Sequence, residues 1–463
     1  MLISKEILER AGIEVVGEWD EWLPQVVIDT RLISGGECFW GLPGATSHGQ
    51  DFVSSAIGKG AKIVAVEKKY GLTHTADLKG SVVFQMEDTL KGLQDLAREV
   101  RGSIGARVIA ITGSNGKTTT RQLIAAGLES LGKISQSFGN FNNHIGVPLT
   151  ILNAEGDEDF LVVEMGANHL GEIASLCEIA HPEVGVITNI GDAHVGEFGG
   201  YDAIEQAKGE LFDYLGDSGL AVVNLDDERI LCQSAKVEER VGYTLSEIPE
   251  SWTKSVYLGG VVDKDAWSRL TLNIEGEKIK LALPGAHWGL SAMAAYAVAC
   301  EHGADPKAVL KKIAEIVPMD GRGSVHDLGN GIELLDETYN ANFASIESSL
   351  QTLANRSGFK VAVLGDVFEL GDYEEDEHRR IGRIGELDDI DLVYFVGSRM
   401  AFAAEEAQLL GHDGIIHLFK EDVEGLADQL QEELEPGAGI IIKGSRLMGL
   451  EKVVNSLINN ADR

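Results

Sequence analysis

The sequence predicts an α/β protein of three domains, each with helices packed on a sheet. The chain has 463 residues, more than a single hydrophobic core usually serves. Apolar runs typical of buried strands alternate with amphipathic stretches along most of its length. Two glycine-containing segments, at 101–106 and 317–323, interrupt this alternation. We therefore expect domains at residues 1–104, 105–319 and 320–463.

The first domain is predicted to be small and of mixed α/β type. Its strands are expected at VVIDT, ECFWGL and KIVAVE, with a helix at FVSSAIGKG that ends in glycine. A further helix is predicted from Thr89 to Arg101. The polar sequence RGSIGA then reads as a linker to the second domain.

The second domain opens with the most informative motif of the chain, ITGSNGKTTT at 111–120. An apolar strand precedes it and an amphipathic helix follows it. Gly113 and Gly116 allow a sharp turn that brings backbone N–H groups to phosphate oxygens, at the positive end of the helix. Lys117 is placed to contact the β- and γ-phosphates, and the Thr118 hydroxyl can bind Mg²⁺. The motif predicts a P-loop that binds a nucleoside triphosphate.

The motif is shorter than the full P-loop pattern, because Ile111 stands where that pattern has glycine. A glycine turn that only opens a helix is the alternative. The strands FLVVEMG, VGVITNI and LAVVNL follow, alternating with helices near 171–180 and 203–215. This order predicts a largely parallel sheet, whose ligands bind beyond the carboxyl ends of the strands.

Three polar residues are expected beside the P-loop. Glu164 ends a predicted strand and His194 follows another, so both can reach metal ions that bridge the phosphates. Taken singly, each is more commonly a solvated or hydrogen-bonded side chain, but their placement after two strands of one sheet favours the metal role. Lys208 lies on the next helix, where an ammonium ~4 Å from Mg²⁺ would be repelled by about 8 kcal/mol at an effective dielectric constant of ~20. It either stays away from the metal as a surface lysine or loses its charge.

The third domain is predicted to be Rossmann-like, with strands at GIELLDE, KVAVLGD, LVYFVG and AGIIIKG. Asp336 ends the first strand and precedes ETYNAN, which can bind a peptide or cap the next helix. Asp366 and Glu369 form a second pair of acidic residues at a strand end, and the sequence does not decide whether their role is structural or functional. Arg322, at the domain boundary, can contact a ligand between domains or form a structural ion pair. The acid-rich stretch 372–377 is expected as a solvated loop.

The composition indicates a soluble, cytoplasmic protein that binds neither nucleic acid nor a membrane. Its 39 basic and 74 acidic residues give a formal net charge of −35, which opposes binding to polyanions. A solvating surface explains this acidity at least as well as a saline habitat. No signal-peptide pattern precedes the first domain, and the longest apolar stretch is too short to span a bilayer. We expect a monomer.

The four cysteines show no C-x-x-C spacing. Neither a disulfide framework nor a zinc site is therefore predicted. All four, Cys38, Cys177, Cys232 and Cys300, are expected as small buried side chains.

The motifs, taken in order, resemble those of the Mur ligase family along the whole chain. The central domain contributes TGSNGKTTT, GNFNNHIGVPLT, EMGANHLGEI, TNIGDAHVGEFG and AKGELF. DETYNAN, LGDVFELG and IIKGSRLMG resemble the branch of the family that adds D-alanyl-D-alanine. DTR at 29–31 and HGQDF at 48–52 are similar to the segment that holds a uridine nucleotide.

The resemblance implies an ATP-dependent amide ligase of peptidoglycan precursor synthesis. Such an enzyme joins D-alanyl-D-alanine to UDP-N-acetylmuramoyl-tripeptide through an acyl phosphate, using ATP and Mg²⁺. It also implies that Lys208 is carbamylated, so that CO₂ turns the ammonium into an anionic metal ligand.

The residue roles that the resemblance implies fall into four groups. The catalytic residues are Lys117, His194 and Lys208. The metal ligands are Thr118, Glu164, His194 and Lys208. The ATP contacts are Gly113, Ser114, Asn115, Gly116, Lys117, Thr118, Thr119, Asn189, Ser291, Arg322 and Asp336. The substrate contacts are Asp29, Thr30 and Arg31 for the uridine nucleotide, Asn140, Asn142 and Asn143 for the tripeptide, and Tyr339, Asn340 and Asn342 for the dipeptide.

Some positions depart from the family pattern. Ser291 replaces an asparagine that usually faces the adenine, and Phe343 replaces the proline that usually follows NAN. Thr30 stands for serine, and His48 and Gln50 replace an aspartate and a histidine. These departures concern substrate detail rather than the type of reaction.

Two other classes are considered. Another Mur-type amino-acid ligase or an enzyme like folylpolyglutamate synthetase would keep the central domain, but DETYNAN and GDVFELG argue against both. A non-catalytic P-loop protein would bind nucleotide and switch partners. Glu164, His194 and Lys208 argue against it, since a switch needs no second set of metal ligands.

Overall fold

A computed structural model describes residues 1–44, 47–70, 80–191, 195–418 and 423–461. They form three sheets of five, nine and six strands, which follow one another along the chain. The predicted α/β class with three domains is confirmed. The exact boundaries at 104/105 and 319/320 stay predictions. Among the described residues, no helix is long and apolar enough to cross a membrane.

The N-terminal sheet has the strand order β1-β5-β4-β3-β2 and is parallel except where β1 pairs with β5. Its strands are β1 (Glu14–Val16), β2 (Val26–Val27), β3 (Cys38–Trp40), β4 (Ile63–Glu67) and β5 (Val82–Met86). Its helices are α1 (Lys5–Arg10), α2 (Val53–Gly58) and α3 (Thr89–Arg101). The three predicted strands and both predicted helices are confirmed, whereas β1 and β5 were missed. The bounds of α3 agree because Asp88 caps its first turn through the Lys91 amide.

The central sheet has the order β14-β13-β12-β11-β10-β9-β6-β8-β7. Its strands are β6 (Arg107–Thr112), β7 (Ile134–Gln136), β8 (Phe160–Glu164), β9 (Val184–Ile187), β10 (Leu220–Asn224), β11 (Glu239–Thr244), β12 (Val256–Lys264), β13 (Leu270–Ile274) and β14 (Glu277–Lys280). Its helices are α4 (Lys117–Leu128), α5 (Gly146–Leu152), α6 (Glu172–Ala180), α7 (Val195–Phe198), α8 (Tyr201–Leu215), α9 (Glu228–Ser234), α10 (Trp288–Glu301) and α11 (Pro306–Glu315).

The parallel part of the central sheet runs from β7 to β12, as the sequence predicted, and an antiparallel edge, β12-β13-β14, was missed. Strand β6 has β8 on one side and β9 on the other, so the winding of the chain changes direction at β6. In open α/β sheets this switch point is where ligands bind, beyond the carboxyl ends of the strands. The helix α4 that follows β6 is buried between the sheet and α10.

The C-terminal sheet has the order β15-β16-β20-β17-β18-β19 and is parallel except for β15. Its strands are β15 (Ser324–Asp327), β16 (Glu333–Glu337), β17 (Lys360–Gly365), β18 (Leu392–Val396), β19 (Ile415–Leu418) and β20 (Gly439–Lys443). Its helices are α12 (Phe343–Ala354), α13 (Glu374–Gly382), α14 (Met400–Leu410), α15 (Val423–Glu433) and α16 (Glu451–Ala461).

Two minor expectations were wrong. The acid-rich stretch is not a loop, because its last residues form the first turn of α13, where the helix dipole favours negative charge. The cysteines are not all buried, since Cys232 is exposed and Cys300 is partly buried.

Asp366 has a structural role, because its carboxylate accepts the amides of Arg399 and Met400 at the start of α14.

Candidate active site

The loop between β6 and α4 has the backbone shape that the glycines of the P-loop predicted. Gly113 has φ 142° and Gly116 has φ 77°, both outside the region that side chains favour. A Cβ atom at Gly113 would lie 2.0 Å from the Thr188 hydroxyl oxygen. Glycine is therefore required at this position both by the backbone angle and by the neighbouring strand.

The end of β9 holds the loop in place. The Asn115 amide donates to the Asn189 side-chain oxygen over 2.9 Å, and the Thr188 hydroxyl donates to the Asn115 carbonyl over 2.6 Å. The Gly191 amide donates to the Ser114 hydroxyl at 2.9 Å. Asn189 thus braces the phosphate loop from the neighbouring strand.

Lys117 begins α4 and is folded back over its own loop. Its Nζ donates to the carbonyls of Gly113 at 2.7 Å and Ser114 at 3.1 Å. Burial lowers the pKa of Lys117, with a contribution from the positive charge of Arg322, whereas Glu164 opposes this shift. Arg322 therefore lies within electrostatic reach of Lys117, although the two residues come from opposite sides of the expected domain boundary.

Thr118, at the start of α4, and Glu164, at the end of β8, bring a hydroxyl and a carboxylate together. The Thr118 hydroxyl donates to Glu164 Oε2 at 2.9 Å, and Asn142 Nδ2 donates to Oε1 at 2.8 Å. Both Thr118 and Glu164 are buried. Oxygen ligands next to a phosphate loop are what Mg²⁺ prefers, so the donor set fits this metal.

The loop also fits a nucleotide. Two buried polar atoms near it have no hydrogen-bond partner among the described residues, the Thr112 hydroxyl and Trp288 Nε1. The Trp288 ring lies 3.7 Å from where a Gly116 Cβ would stand, and Ser291 Oγ lies at the same distance. Ser291 accepts a hydrogen bond from Thr120 at 2.9 Å, so this departure from the family pattern packs against α4. Thr119 is buried in the same helix.

Lys208, on α8, is buried rather than solvated. Its Nζ lies 3.4 Å from the Ala167 carbonyl and 5.2 Å from the centre of the Phe198 ring. No carboxylate within the described ranges forms an ion pair with it. Burial, with a smaller contribution from the charge of Lys117, lowers the pKa of Lys208 to about 7. The surface alternative is therefore excluded, and a large share of the amine is neutral near pH 7.

The remaining metal-ligand prediction, His194, lies outside the described residues. Within the described ranges, no cluster of three or more His, Cys, Asp or Glu side chains is arranged to hold a metal. The structure thus brings Thr118 and Glu164 together and places Lys208 within electrostatic reach of Lys117.

The C-terminal domain contacts the phosphate loop directly through Asn342. Asn342 Nδ2 donates to Asn115 Oδ1 at 2.7 Å, and the Asn342 oxygen caps α12 by accepting the Ser345 amide at 2.9 Å. The helix-cap alternative for the ETYNAN segment is therefore confirmed for Asn342, and peptide binding by this segment stays a prediction. Lys443 donates to the Asn340 carbonyl at 3.3 Å and holds the same segment.

Arg322 and Asp336 lie where the central and C-terminal domains join. The Arg322 guanidinium stacks on the Tyr339 ring at 3.6 Å. The Asp336 carboxylate accepts the Gly321 amide at 3.2 Å and the Thr338 hydroxyl at 2.7 Å. The boundary arginine is thus held by an aromatic ring rather than by an ion pair among the described residues.

The residues expected near the other substrates have local roles. Asp29 accepts the Arg31 amide and pairs with its guanidinium, and Lys59 donates to the Thr30 carbonyl. Asn143 caps the start of α5, while the Asn140 carbonyl accepts the Asn142 amide. No hydrogen bond in the described part of the chain joins residues 29–31 to the phosphate loop.

Sequence reasoning missed Arg121. This residue is 3% exposed, yet its Nε and Nη1 have no hydrogen-bond partner among the residues described. It lies one helical turn after Lys117 and is close enough to Glu164 for that charge to oppose the lowering of its pKa by burial. The only signal in the sequence was this spacing of four residues.

We expect Gly113→Ala to lower both the stability of the protein and its affinity for ATP. The clash with Thr188 adds to backbone strain of about 1–3 kcal/mol. Gly35→Ala is a matched control, since Gly35 has φ 123° but nothing lies within 4 Å of where its Cβ would stand. Denaturant unfolding and ATP titration would check this. Equal loss of stability in the two variants would contradict the role assigned to the contact with Thr188.

Family models match each of the three sheets. The Mur ligase family catalytic domain matches residues 24–99, the Mur ligase middle domain residues 111–299, and the Mur ligase glutamate ligase domain residues 321–446. Full-length relatives extend this match. A protein of Mycobacterium tuberculosis named UDP-N-acetylmuramoyl-tripeptide–D-alanyl-D-alanine ligase is 34% identical, over 94% of this chain and 92% of the relative. The Escherichia coli protein of the same name is 32% identical, over 95% of both chains.

Solved structures agree with the sequence comparison. MurF from Acinetobacter baumannii superposes with a TM-score of 0.81 at 27% identity, over 98% of both chains. MurF ligase from Thermotoga maritima, solved in complex with ADP, gives a TM-score of 0.79 at 26% identity, over 95% of this chain and 98% of that one. The chain belongs to the Mur ligase family, as a member of its MurF type.

Proposed function

We propose that this protein is the ATP-dependent ligase that joins D-alanyl-D-alanine to UDP-N-acetylmuramoyl-tripeptide. The observation that carries the proposal is one crevice that contains the phosphate loop, the Thr118–Glu164 pair and buried Lys208. The third domain covers this crevice and contacts it through Asn342. The names of the full-length relatives support the choice of substrates.

The proposed reaction has two steps. The terminal carboxylate of the tripeptide attacks the γ-phosphorus of ATP, which forms an acyl phosphate and releases ADP. The amine of the dipeptide then attacks the acyl carbon, loses a proton, and phosphate leaves. Lys117 stabilises the transferred phosphoryl group. Thr118 and Glu164 would hold Mg²⁺, which would supply positive charge to the phosphates.

The second metal position is assigned by resemblance to His194 and to Lys208 as its carbamate. A neutral lysine amine adds to CO₂ and releases a proton, which gives an anionic ligand. The burial of Lys208 and the lack of a carboxylate partner among the described residues favour the neutral amine. The carbamate would also remove the repulsion between two neighbouring ammonium groups.

The other substrate contacts are proposed by position. Asp29, Thr30 and Arg31 would bind the uridine nucleotide, and Asn140, Asn142 and Asn143 the tripeptide. The C-terminal domain would contribute Arg322 and Asp336 to ATP, and Tyr339, Asn340 and Asn342 to the dipeptide. Closure of this domain excludes water, which would otherwise hydrolyse the acyl phosphate.

Asn342→Ser is expected to weaken domain closure without unfolding α12. Serine keeps the helix cap but cannot reach Asn115, whereas Asn342→Ala loses both contacts. We expect kcat/KM to fall by about tenfold in both variants, as for the loss of one hydrogen bond of about 1.5 kcal/mol. Stability should fall only in the alanine variant. Steady-state kinetics, thermal unfolding and small-angle scattering with an ATP analogue would check this; wild-type kinetics in Asn342→Ser would contradict it.

A phosphate-release assay tests the proposed function. The purified protein is given Mg²⁺, ATP and a UDP-tripeptide with either diaminopimelate or lysine as third residue, and then one amine at a time. D-Alanyl-D-alanine should support turnover with both organic substrates required. Turnover with a free amino acid in its place would indicate another Mur-type ligase, and no turnover with any amine would contradict a ligase.

A further inference from the structure

A cavity of about 350 Å³ lies between the central and C-terminal domains. It is close to the phosphate loop, because Gly191 in its wall donates to Ser114 and Phe343 directly follows Asn342. This volume is in the range of small-molecule sites. Its walls are formed by Gly191, Tyr201, Arg229, Phe343, Ala344, Glu347 and Arg380.

Arg229 brings a guanidinium to this cavity from the first turn of α9. Asp227 fixes its position, since one carboxylate oxygen accepts the Arg229 amide at 3.0 Å and the other accepts the Ile190 amide at 2.9 Å. The Arg229 side chain is exposed, and no hydrogen bond or ion pair with another described residue engages it. Asp227 thus fixes the backbone of Arg229 at the cavity, and the guanidinium can bind a ligand there.

Arg380 reaches the cavity from α13 of the C-terminal domain, and its planar guanidinium is fixed by three contacts. Its guanidinium stacks on the Phe343 ring at 3.9 Å, and Nη1 donates to Glu377 at 2.5 Å and to the Tyr201 hydroxyl at 3.3 Å. Phe343 is the residue that departs from the family pattern. The stacking of Arg380 on Phe343 could therefore not be predicted from the family motifs.

We propose that this cavity binds the C-terminal residue of the incoming dipeptide, with its carboxylate between Arg229 and Arg380 and its side chain against Phe343. The inference rests on the proposed function and identifies the residues that select the second substrate.

Charge and geometry support this occupant. The cavity lining contains two guanidinium groups and one carboxylate, Glu347, and Glu377 pairs with Arg380 beside it. Arg229 is then the lining cation that no carboxylate of the described residues engages through its side chain. Guanidinium groups match the geometry of a carboxylate. A dipeptide held in this way extends its amine toward Ser114 and Gly191, where the phosphate loop lies. Arg229 belongs to the central domain and Arg380 to the C-terminal domain, so the packing of the two domains brings both to one cavity.

The test compares D-alanyl-D-alanine with its C-terminal amide, which lacks the charge. In the wild-type enzyme the amide should have a KM about 10- to 100-fold higher. Arg229→Gln should raise the KM for the dipeptide to the level of the amide and should leave the KM for the amide, ATP and UDP-tripeptide unchanged. Arg107→Gln is the matched control, since this exposed arginine lies at the opposite end of β6 from the phosphate loop.

Phe343→Pro provides a second variant that keeps the start of α12, because proline is accepted at the first helical position. It should raise the KM for the dipeptide by loosening Arg380 and should admit larger C-terminal residues. Equal use of acid and amide by the wild-type enzyme would overturn the carboxylate site, as would an unchanged acid/amide ratio in Arg229→Gln. Either result would leave the ligase function standing. Failure of the wild-type enzyme to use any dipeptide would overturn the proposed function and this inference with it.

Discussion

Replacing Lys117 with alanine is expected to reduce phosphate release by about 10³-fold while the protein stays folded. The lysine is the only cation of the loop motif, and loss of one preorganised charge donor costs on the order of 10²–10³ in rate. Its native contacts are two carbonyls of its own loop, and burial disfavours its charge. Stability should therefore be unchanged or slightly higher. Coupled phosphate release and thermal unfolding measure the two quantities.

Lys133→Ala is a suitable control for Lys117. Lys133 is a half-exposed lysine of the same domain that pairs with Glu155 and Asp157, so its loss should leave turnover intact. A folded Lys117→Ala protein with wild-type turnover would contradict the assignment of the phosphate loop.

Lys208→Ala is expected to lower kcat by at least about a hundredfold, as for the loss of a metal ligand. If the carbamate is the working form, removal of CO₂ from the buffer should lower wild-type activity reversibly, and bicarbonate should restore it. Formate or acetate, which supply a carboxylate to the space left by the side chain, should partly rescue Lys208→Ala. Wild-type protein treated with ¹³C-labelled bicarbonate should also show a carbamate resonance. Lys208→Ala, which lacks the amine, should not show it.

Lys208→Arg separates charge from carbamylation, because guanidinium keeps a positive charge and does not add CO₂. It should be as inactive as the alanine variant and should not respond to carboxylates. An active enzyme in the complete absence of CO₂, with no labelled resonance, would show that the carbamate is not needed.

The sequence was sufficient for those features that depend on local order. The bounds of α3, the turn at Gly113 and the strand end at Glu164 follow from caps, glycine angles and apolar runs, which act within a few residues. The strands β12 and β14 were missed because most of their residues are exposed or half-buried, so burial gives their sequences little pattern.

The candidate site was predictable in its phosphate loop and less so elsewhere. Burial of Lys208 and Arg121 depends on what packs over their helices, which periodicity does not reveal. The sequence left Asn342 with two alternative roles, and its contact with Asn115 depends on how the C-terminal domain lies on the central one. Residues 227 positions apart become neighbours only through that packing.

Asn342 has a consequence for how the two substrates communicate. One end of its amide holds the phosphate loop, while the other fixes the first turn of α12, from which Phe343 enters the dipeptide cavity. If nucleotide binding moves the loop, the side chain that carries this movement is the one that sets the position of α12. Coupling between two bound ligands is reciprocal. If bound nucleotide raises the affinity for the dipeptide by some factor, bound dipeptide raises the affinity for the nucleotide by the same factor. With the dipeptide in the proposed cavity, a single amide would connect the two ligands within one active site.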